Sequence, residues 1–559
     1  MVARPKFALH EIFIPKRLKI ADISLSPNDT TTPMSETIMR SPVPLFRLRS
    51  GARAVLCVLV GTATAAAQDL APSTPNSGAA PPSTNTLPFR PAEGTALPVS
   101  PVPAAPVTST GPAADPLQAL DALRAPPPAP APSSAPASTP LNDFWRNGLR
   151  FESADKAFSV AVGGRVQFDA VNYLTTSAMR RNVPGNNPLE DGVSFRRFRF
   201  DVGGTIYKNI EFYAQVDFVN GFVTSVADNR QSNVPAPTDL WVQYKDLPWI
   251  GNVRVGNQKP LYSFEHLTSS RFLTFLERSL GFDAFAEGFN NGFEPGVSVF
   301  DTFAEKRGTW GVGVYKNTRS GFAYNVGRNE TEVSGRVTYL PVYEDEGKLL
   351  VHVGLGASAR DLDQDQARFR ARLDARNSPS AFSPLVADTG LFFGNHQQIL
   401  VPELVAVMGS WSFQSEYYAS WVGHAQAVGA NNQRLTDQGT VFMQSAYGEV
   451  ACFLTGEHRE YSRETGTFTR VTPRTPVTWT RAGFTGCGAW QVAARYTYLD
   501  LNDKVVRGGQ VHDMTLGLNW FLNPNMKIQS NYFLAARNAV GTAGDGLIHG
   551  FAVRTAIDF

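Results

Sequence analysis

The sequence predicts an all-β chain, a transmembrane antiparallel β-barrel of about 16 strands, and three observations carry that expectation. Between Phe158 and Phe559, segments of about 10 residues alternate apolar with polar side chains. An export signal precedes those segments. The last of them stops on an aromatic residue, Phe559.

The signal comes first in chain order. Residues 54–65, AVLCVLVGTATA, are apolar, follow Arg40, Arg47, Arg49 and Arg53, and lead into Ala65-Ala66-Ala67-Gln68. Basic, short apolar and small-residue parts in that order read as a secretory signal beginning at about residue 39 and cleaved after Ala67. A short buried helix is the other reading of the run. Signals start close to a true N-terminus, so Met34 or Met39 is the expected start and the residues before it an extension. Residues 1–67 then form no part of the folded protein.

Residues 68–140 consist largely of Pro, Ala, Ser and Thr. Such a segment has too little apolar surface to offset its ordering entropy, so a disordered periplasmic tether is expected. Within it, Leu117, Leu120 and Leu123 could line one face of a short helix. Its expected contacts are with peptidoglycan or an envelope partner, which would make the barrel an anchor.

The barrel is expected over residues 141–559. Phe198, Phe200 and Val202 alternate with Arg197, Arg199 and Asp201; Ile210, Phe212, Ala214, Val216 and Phe218 alternate with Glu211, Tyr213, Gln215 and Asp217. The final segment sets Phe551, Val553, Thr555, Ile557 and Phe559 against Ala552, Arg554, Ala556 and Asp558. Period 2 gives a strand with one apolar and one polar face, as a soluble sandwich would also show. Segment length, aromatic residues near segment ends and export decide for the membrane. A strand ending on Phe559 also resembles the signal read by the outer-membrane barrel-assembly machinery. An even number of strands closes without a free edge, and about sixteen leave a water channel.

Alternation places Arg165, Arg197, Arg199, Arg254, Arg336, Arg495, Lys527 and Arg554 on the lumen face, with Asp169, Asp201, Asp217 and Asp239. Arginines along a wall attract anions and grip phosphate or carboxylate in bidentate fashion. Paired with acids, they stiffen the wall instead. Arg196 falls on the outer face beside Phe198, so it belongs near a membrane interface unless a bulge re-aims it. Residues 259–291 break the alternation, and the spacing in Thr268–Leu280 predicts a helix inside that loop. Folded into the lumen, the loop would bring Lys259, Ser263, Arg271 or Arg278 to the ion path; as a surface lid it would not.

Removing the 11 basic and 8 acidic residues of 1–140 from the chain's 51 and 49 leaves 40 against 41, so any anion preference must come from local placement. The net charge of +2 argues for no nucleic-acid partner. Cys452 and Cys487 either form a disulfide or stand as two free thiols. The histidines are scattered, with no metal-ligand spacing and no nucleophile motif, so neither an enzyme, a metal nor a cofactor is expected.

Several segments resemble the phosphate-selective porin family of O/P type. They are FRRFRFDVGGTIYKNIEFYAQVDF at 195–218, DLWVQYKDLPWIGNVRVGNQKPLYSFEHLTSSRFLTFLERSL at 239–280, FLTGEHREYSRETGTFTRVTP at 453–473 and GAWQVAARYTYLDLND at 488–503. The resemblance implies a sixteen-stranded outer-membrane barrel, a homotrimer, an inward loop at the constriction and uptake of small anions such as phosphate. It puts the family's double arginine on Arg196 and Arg197, with Arg199 beyond, and its loop lysine on Lys259, with Ser263 close behind. Arg254, Arg271, Asp239 and Arg495 complete the expected pore-lining set.

Overall fold

The computed structural model describes residues 148–559 apart from 185–187, 225–230, 287–291, 317–329, 378–382 and 539–543. The expected signal (1–67) and tether (68–140) lie outside the described residues. Sixteen strands form the wall. In chain order they are β1 Ser159–Tyr173, β2 Gly192–Ile206, β3 Ile210–Thr224, β4 Gln231–Leu247, β5 Gly251–Gln258 and β6 Glu294–Phe303. Then come β7 Gly308–Lys316, β8 Thr331–Glu344, β9 Leu349–Asp361, β10 His396–Met408 and β11 Trp411–Gly423. Last are β12 Val441–Phe453, β13 Ala489–Asp503, β14 Val506–Asn523, β15 Met526–Asn538 and β16 Gly546–Asp558.

Each strand pairs antiparallel with the next, and β16 returns to β1 in the register Arg165↔Asp558 to Tyr173↔Gly550. The sheet therefore closes without an edge. A short strand, Leu149–Glu152, continues the pairing of β1 beyond the end of β16.

Burial shows the faces inverted relative to a soluble core. On β14, Met514, Leu516 and Leu518 are exposed while Asp513, Thr515 and Asn519 are buried. The apolar face meets lipid and the polar face looks inward, as the alternation requires. Arg196 departs from strict alternation. Opposite it the β1–β2 register slips between Gln167↔Arg197 and Phe168↔Phe195, so Arg196 is the extra residue of a bulge. The bulge turns Arg196 inward, to 2% exposure.

One end of the barrel carries Phe559 and the short turns 207–209, 248–250, 304–307, 345–348, 409–410 and 524–525. Short turns mark the periplasmic end of such barrels. The connection of β12 to β13, residues 454–488, lies at the same end but is long. Part of it folds inward: Phe468 joins Phe264, Leu340, Leu350, Val405 and Val407 in a buried cluster, and Arg336 Nη2 donates to the Gly466 carbonyl at 2.8 Å.

The loop between β5 and β6 also folds inward, but the expected helix over Thr268–Leu280 is absent. Two short helices flank that stretch instead, α1 Phe264–Leu267 and α2 Leu280–Phe285, capped by Ser263 and Ser279. Side chains of the wall and of loop 454–488 take the carbonyls that a helix would use. Asn519 Nδ2 donates to Thr274 O at 2.8 Å, Lys527 Nζ to Leu273 O at 3.1 Å, Arg459 Nη2 to Phe272 O at 2.8 Å and Arg495 Nη2 to Glu277 O at 3.0 Å. Phe275 and Leu276 meanwhile bury completely. Tertiary donors override the helical spacing.

Cys452 and Cys487 are free thiols, the second of the two arrangements left open by the sequence. Cys452 alternates outward on β12, and Cys487 Sγ lies 3.1 Å from Thr475 Oγ1. Alkylation of the denatured, unreduced protein should modify both residues; protection of both until a reductant is added would contradict this placement.

Candidate anion path

Between the wall and the two inward loops lies a cavity of about 450 Å³. Its lining includes Arg165, Arg196, Arg197, Arg199, Arg254, Lys259, Arg271, Arg278 and Arg336, nine basic residues, against Asp239, Asp301 and Glu464, three acidic ones. A barrel that is neutral as a whole thus has a positive passage.

Carboxylates behind the lining sort these cations into two groups. Glu277, on the inward loop, accepts Arg196 at 2.8 Å and Arg554 at 2.9 Å, and lies 3.5 Å from Arg197 and 3.9 Å from Arg376. Burial raises the proton affinity of that carboxyl, but Arg196, Arg197, Arg376 and Arg554 outweigh it and hold Glu277 well below the usual carboxylate range. Arg554 also forks onto Asp169 at 2.7 and 2.6 Å. Arg199 pairs with Asp217 at 2.7 Å, Arg271 with Asp201 at 2.7 Å, and Arg336 with Glu403 at 2.7 Å. These pairs pin loop to wall or strand to strand.

Arg165, Arg254 and Lys259 have no carboxylate contact among the described residues. Arg165 Nη1 donates to Ser270 Oγ at 2.6 Å and its Nη2 to Gln215 Oε1 at 3.0 Å. Arg254 lies 4.1 Å from the Trp241 ring and 4.9 Å from Phe300, with Tyr213 stacked on Trp241 at 5.7 Å. Its Nε and Nη2 both donate to Gln243 Oε1, at 2.9 and 2.7 Å. Aromatic faces and an amide hold this guanidinium without cancelling its charge. Lys259 Nζ donates to the His266 carbonyl at 2.7 Å. Burial first, and the Arg278 guanidinium second, lower the Lys259 ammonium well below its ordinary range. A bound anion would relieve both.

Of the pore-lining residues expected from sequence, Arg196, Arg197, Arg199, Arg254, Lys259, Arg271 and Asp239 reach this cavity. Ser263 and Arg495 do not, and both expectations are corrected. Ser263 is fully buried, where its Oγ caps α1 through His266 N at 3.1 Å and bonds Tyr418 Oη at 2.9 Å. Arg495 is buried against Asp374 at 2.5 Å, with Glu265 at 3.5 Å. Sequence reasoning missed Tyr213 as a lining group, although it sits on the polar face of its strand. It also missed the contribution of loop 454–488, which has no alternation to betray it. A smaller pocket toward the periplasmic end gathers Arg165, Arg271, Arg459, Arg470 and Lys527 around Asp558.

The chain is 26% identical over 434 residues to Porin O of Pseudomonas aeruginosa, covering 73% of this chain and 90% of that protein. It is 27% identical over 455 residues to an uncharacterized protein of Caulobacter vibrioides, covering 79% of each. Among solved structures it resembles OmpT of Vibrio cholerae, at 8% identity and a TM-score of 0.41, over 72% of this chain and 98% of that one. It also resembles an anion-selective porin from Comamonas acidovorans, at 13% identity and a TM-score of 0.40, over 72% of this chain and all of the other. The family model for phosphate-selective porins O and P matches residues 160–559. With a closed sixteen-strand wall over the same residues, the chain belongs to the phosphate-selective porin O and P family and is an outer-membrane porin.

Proposed function

We propose that this porin conducts small anions, phosphate or polyphosphate foremost, through the cavity flanked by Arg165, Arg254 and Lys259. The supporting observation is the excess of nine basic over three acidic lining residues in a barrel with no overall charge excess. An anion leaving water here exchanges hydration for guanidinium and ammonium donors, and several weak sites in series let it leave again. Arg197, Arg199 and Arg271 sit beside these three groups with their carboxylates behind them, so they shape the field more than they bind. Asp239 limits how tightly an anion is held.

Single-channel recording tests this reading. Chloride conductance should fall as phosphate is added, because phosphate lodges at the cation sites. Steps without anion preference or phosphate block would mark a general small-solute porin instead, and an intact barrel without steps would leave only the anchoring role.

The reading also fixes a pH dependence. The proton affinity of Lys259 is lowered, so its charge, present at low pH, is lost below the ordinary lysine range as pH rises. Anion preference should weaken on alkalinisation in wild type and hold steady in Lys259→Arg, whose guanidinium stays charged. A flat wild-type profile would remove Lys259 from the path. The same proposal includes a homotrimer in the outer membrane, inserted by the barrel-assembly machinery through the strand ending at Phe559. It leaves residues 68–140 as the segment to test for peptidoglycan contact.

A further inference from the structure

Part of loop 454–488 stays outside the anion path. Thr478–Thr480 and Gly483–Thr485 pair antiparallel across the tip Arg481-Ala482, and residues 478–487 are exposed throughout. Trp479 and Phe484 are directly opposed in this hairpin, so their rings share one face. They are 56% and 67% exposed. A lone two-stranded hairpin is marginal in water, and this one leaves its two largest apolar groups uncovered.

Its base shows where the rings belong. The backbone is tied to the barrel rim by Val477 N donating to Leu522 O at 2.7 Å. The Cys487 carbonyl accepts the indole N–H of Trp490 at 3.1 Å and of Trp520 at 2.9 Å. Those two indoles stack at 5.0 Å and 14°. Their strand neighbours Gln491 and Asn519 are fully buried on the lumen side, so Trp490 and Trp520 face outward. At the same end, Met408 and Trp411 are exposed on β10 and β11. Outward aromatics at a barrel end form the belt at headgroup level. The hairpin thus springs from the periplasmic belt itself. Between Thr478 and Thr485 it carries two aromatics, one cation at the tip and no acid, the composition that suits a surface of lipid phosphates.

We propose that residues 478–485 form a membrane-interface paddle, with Trp479 and Phe484 resting in the headgroup region of the periplasmic leaflet and Arg481 at the lipid phosphates. The proposal is independent of the solute carried.

The test uses the full chain, with its other cysteines replaced by serine, in vesicles of phosphatidylethanolamine and phosphatidylglycerol. A nitroxide is placed at Phe484→Cys, or at Thr480→Cys on the opposite face. At 484 the label should collide more often with oxygen than with a water-soluble nickel chelate; at 480 the chelate should dominate. Because the substitutions lie outside the barrel wall, heat-modifiable gel mobility should confirm a folded barrel in both. Chelate access at 484 equal to that at 480 would put the hairpin in water and overturn the proposal. Protection of 484 from both reagents would also overturn it, because the cover would then be protein, such as a neighbouring copy or a periplasmic partner.

Discussion

Replacing Glu277 with Gln should release the inward loop. The variant should show several-fold larger and noisier single-channel steps and a lower unfolding temperature. Arg196, Arg197, Arg376 and Arg554 all lie within 3.9 Å of this carboxylate, which is nearly fully buried. Without it, Arg196 and Arg197 of β2 lose a carboxylate at 2.8 and 3.5 Å, while Arg376 keeps Asp283 at 3.0 Å. Removing one partner of a buried pair costs about 3–5 kcal/mol, and here a single partner serves four. Arg554 keeps Asp169, so barrel closure between β1 and β16 should survive while the loop moves. Since the Glu277 carboxyl titrates well below the ordinary range, wild type should keep its small conductance through pH 4.5 and lose the lock only in stronger acid. Unchanged conductance in Glu277→Gln would mean that the buried apolar contacts of Phe275 and Leu276 hold the loop by themselves.

The combined variant Arg165→Ala, Arg254→Ala, Lys259→Ala should lose anion preference and phosphate block while the barrel remains folded. None of the three has a carboxylate contact among the described residues, so their removal leaves no buried acid uncompensated by them. Each unit charge near the path contributes roughly 1 kcal/mol or more toward an anion, about five-fold in affinity apiece. With all three gone, Asp239, Asp301 and Glu464 still line the cavity, and the reversal potential should move toward cations. By contrast, Arg495→Ala should lower stability with little change in selectivity, because Arg495 is buried in its pair with Asp374. Equal selectivity changes in the two variants would contradict the division between path and pinning arginines.

The wall was legible in the sequence because period 2 forces side chains onto one face or the other, and lipid on one side makes that choice strict. The alternation therefore placed Arg199, Arg254 and Asp239 inward. At Arg196 a single inserted residue defeats it: strict alternation points that side chain outward, and only a bulge turns it in. Loop conformation was less legible. The spacing of Phe272, Leu276 and Leu280 fits a helix, yet Asn519, Lys527 and Arg495 on distant strands take the carbonyls in between. Ser263 looked like a ligand and is a helix cap, since the same hydroxyl chemistry serves either role. The near balance of 40 basic and 41 acidic residues concealed the most: Glu277, Asp283, Asp374 and Glu403 are buried in ion pairs with Arg196, Arg372, Arg495 and Arg336. Those acids cancel in the total without reaching the cavity.

The most direct test of the central claim is the reversal potential of the wild-type channel in a potassium chloride gradient, repeated with phosphate replacing part of the chloride. A porin whose path is set by Arg165, Arg254 and Lys259 should reverse toward the chloride equilibrium potential and show reduced current at low added phosphate. Reversal toward potassium, or current indifferent to phosphate, would contradict an anion path through this cavity.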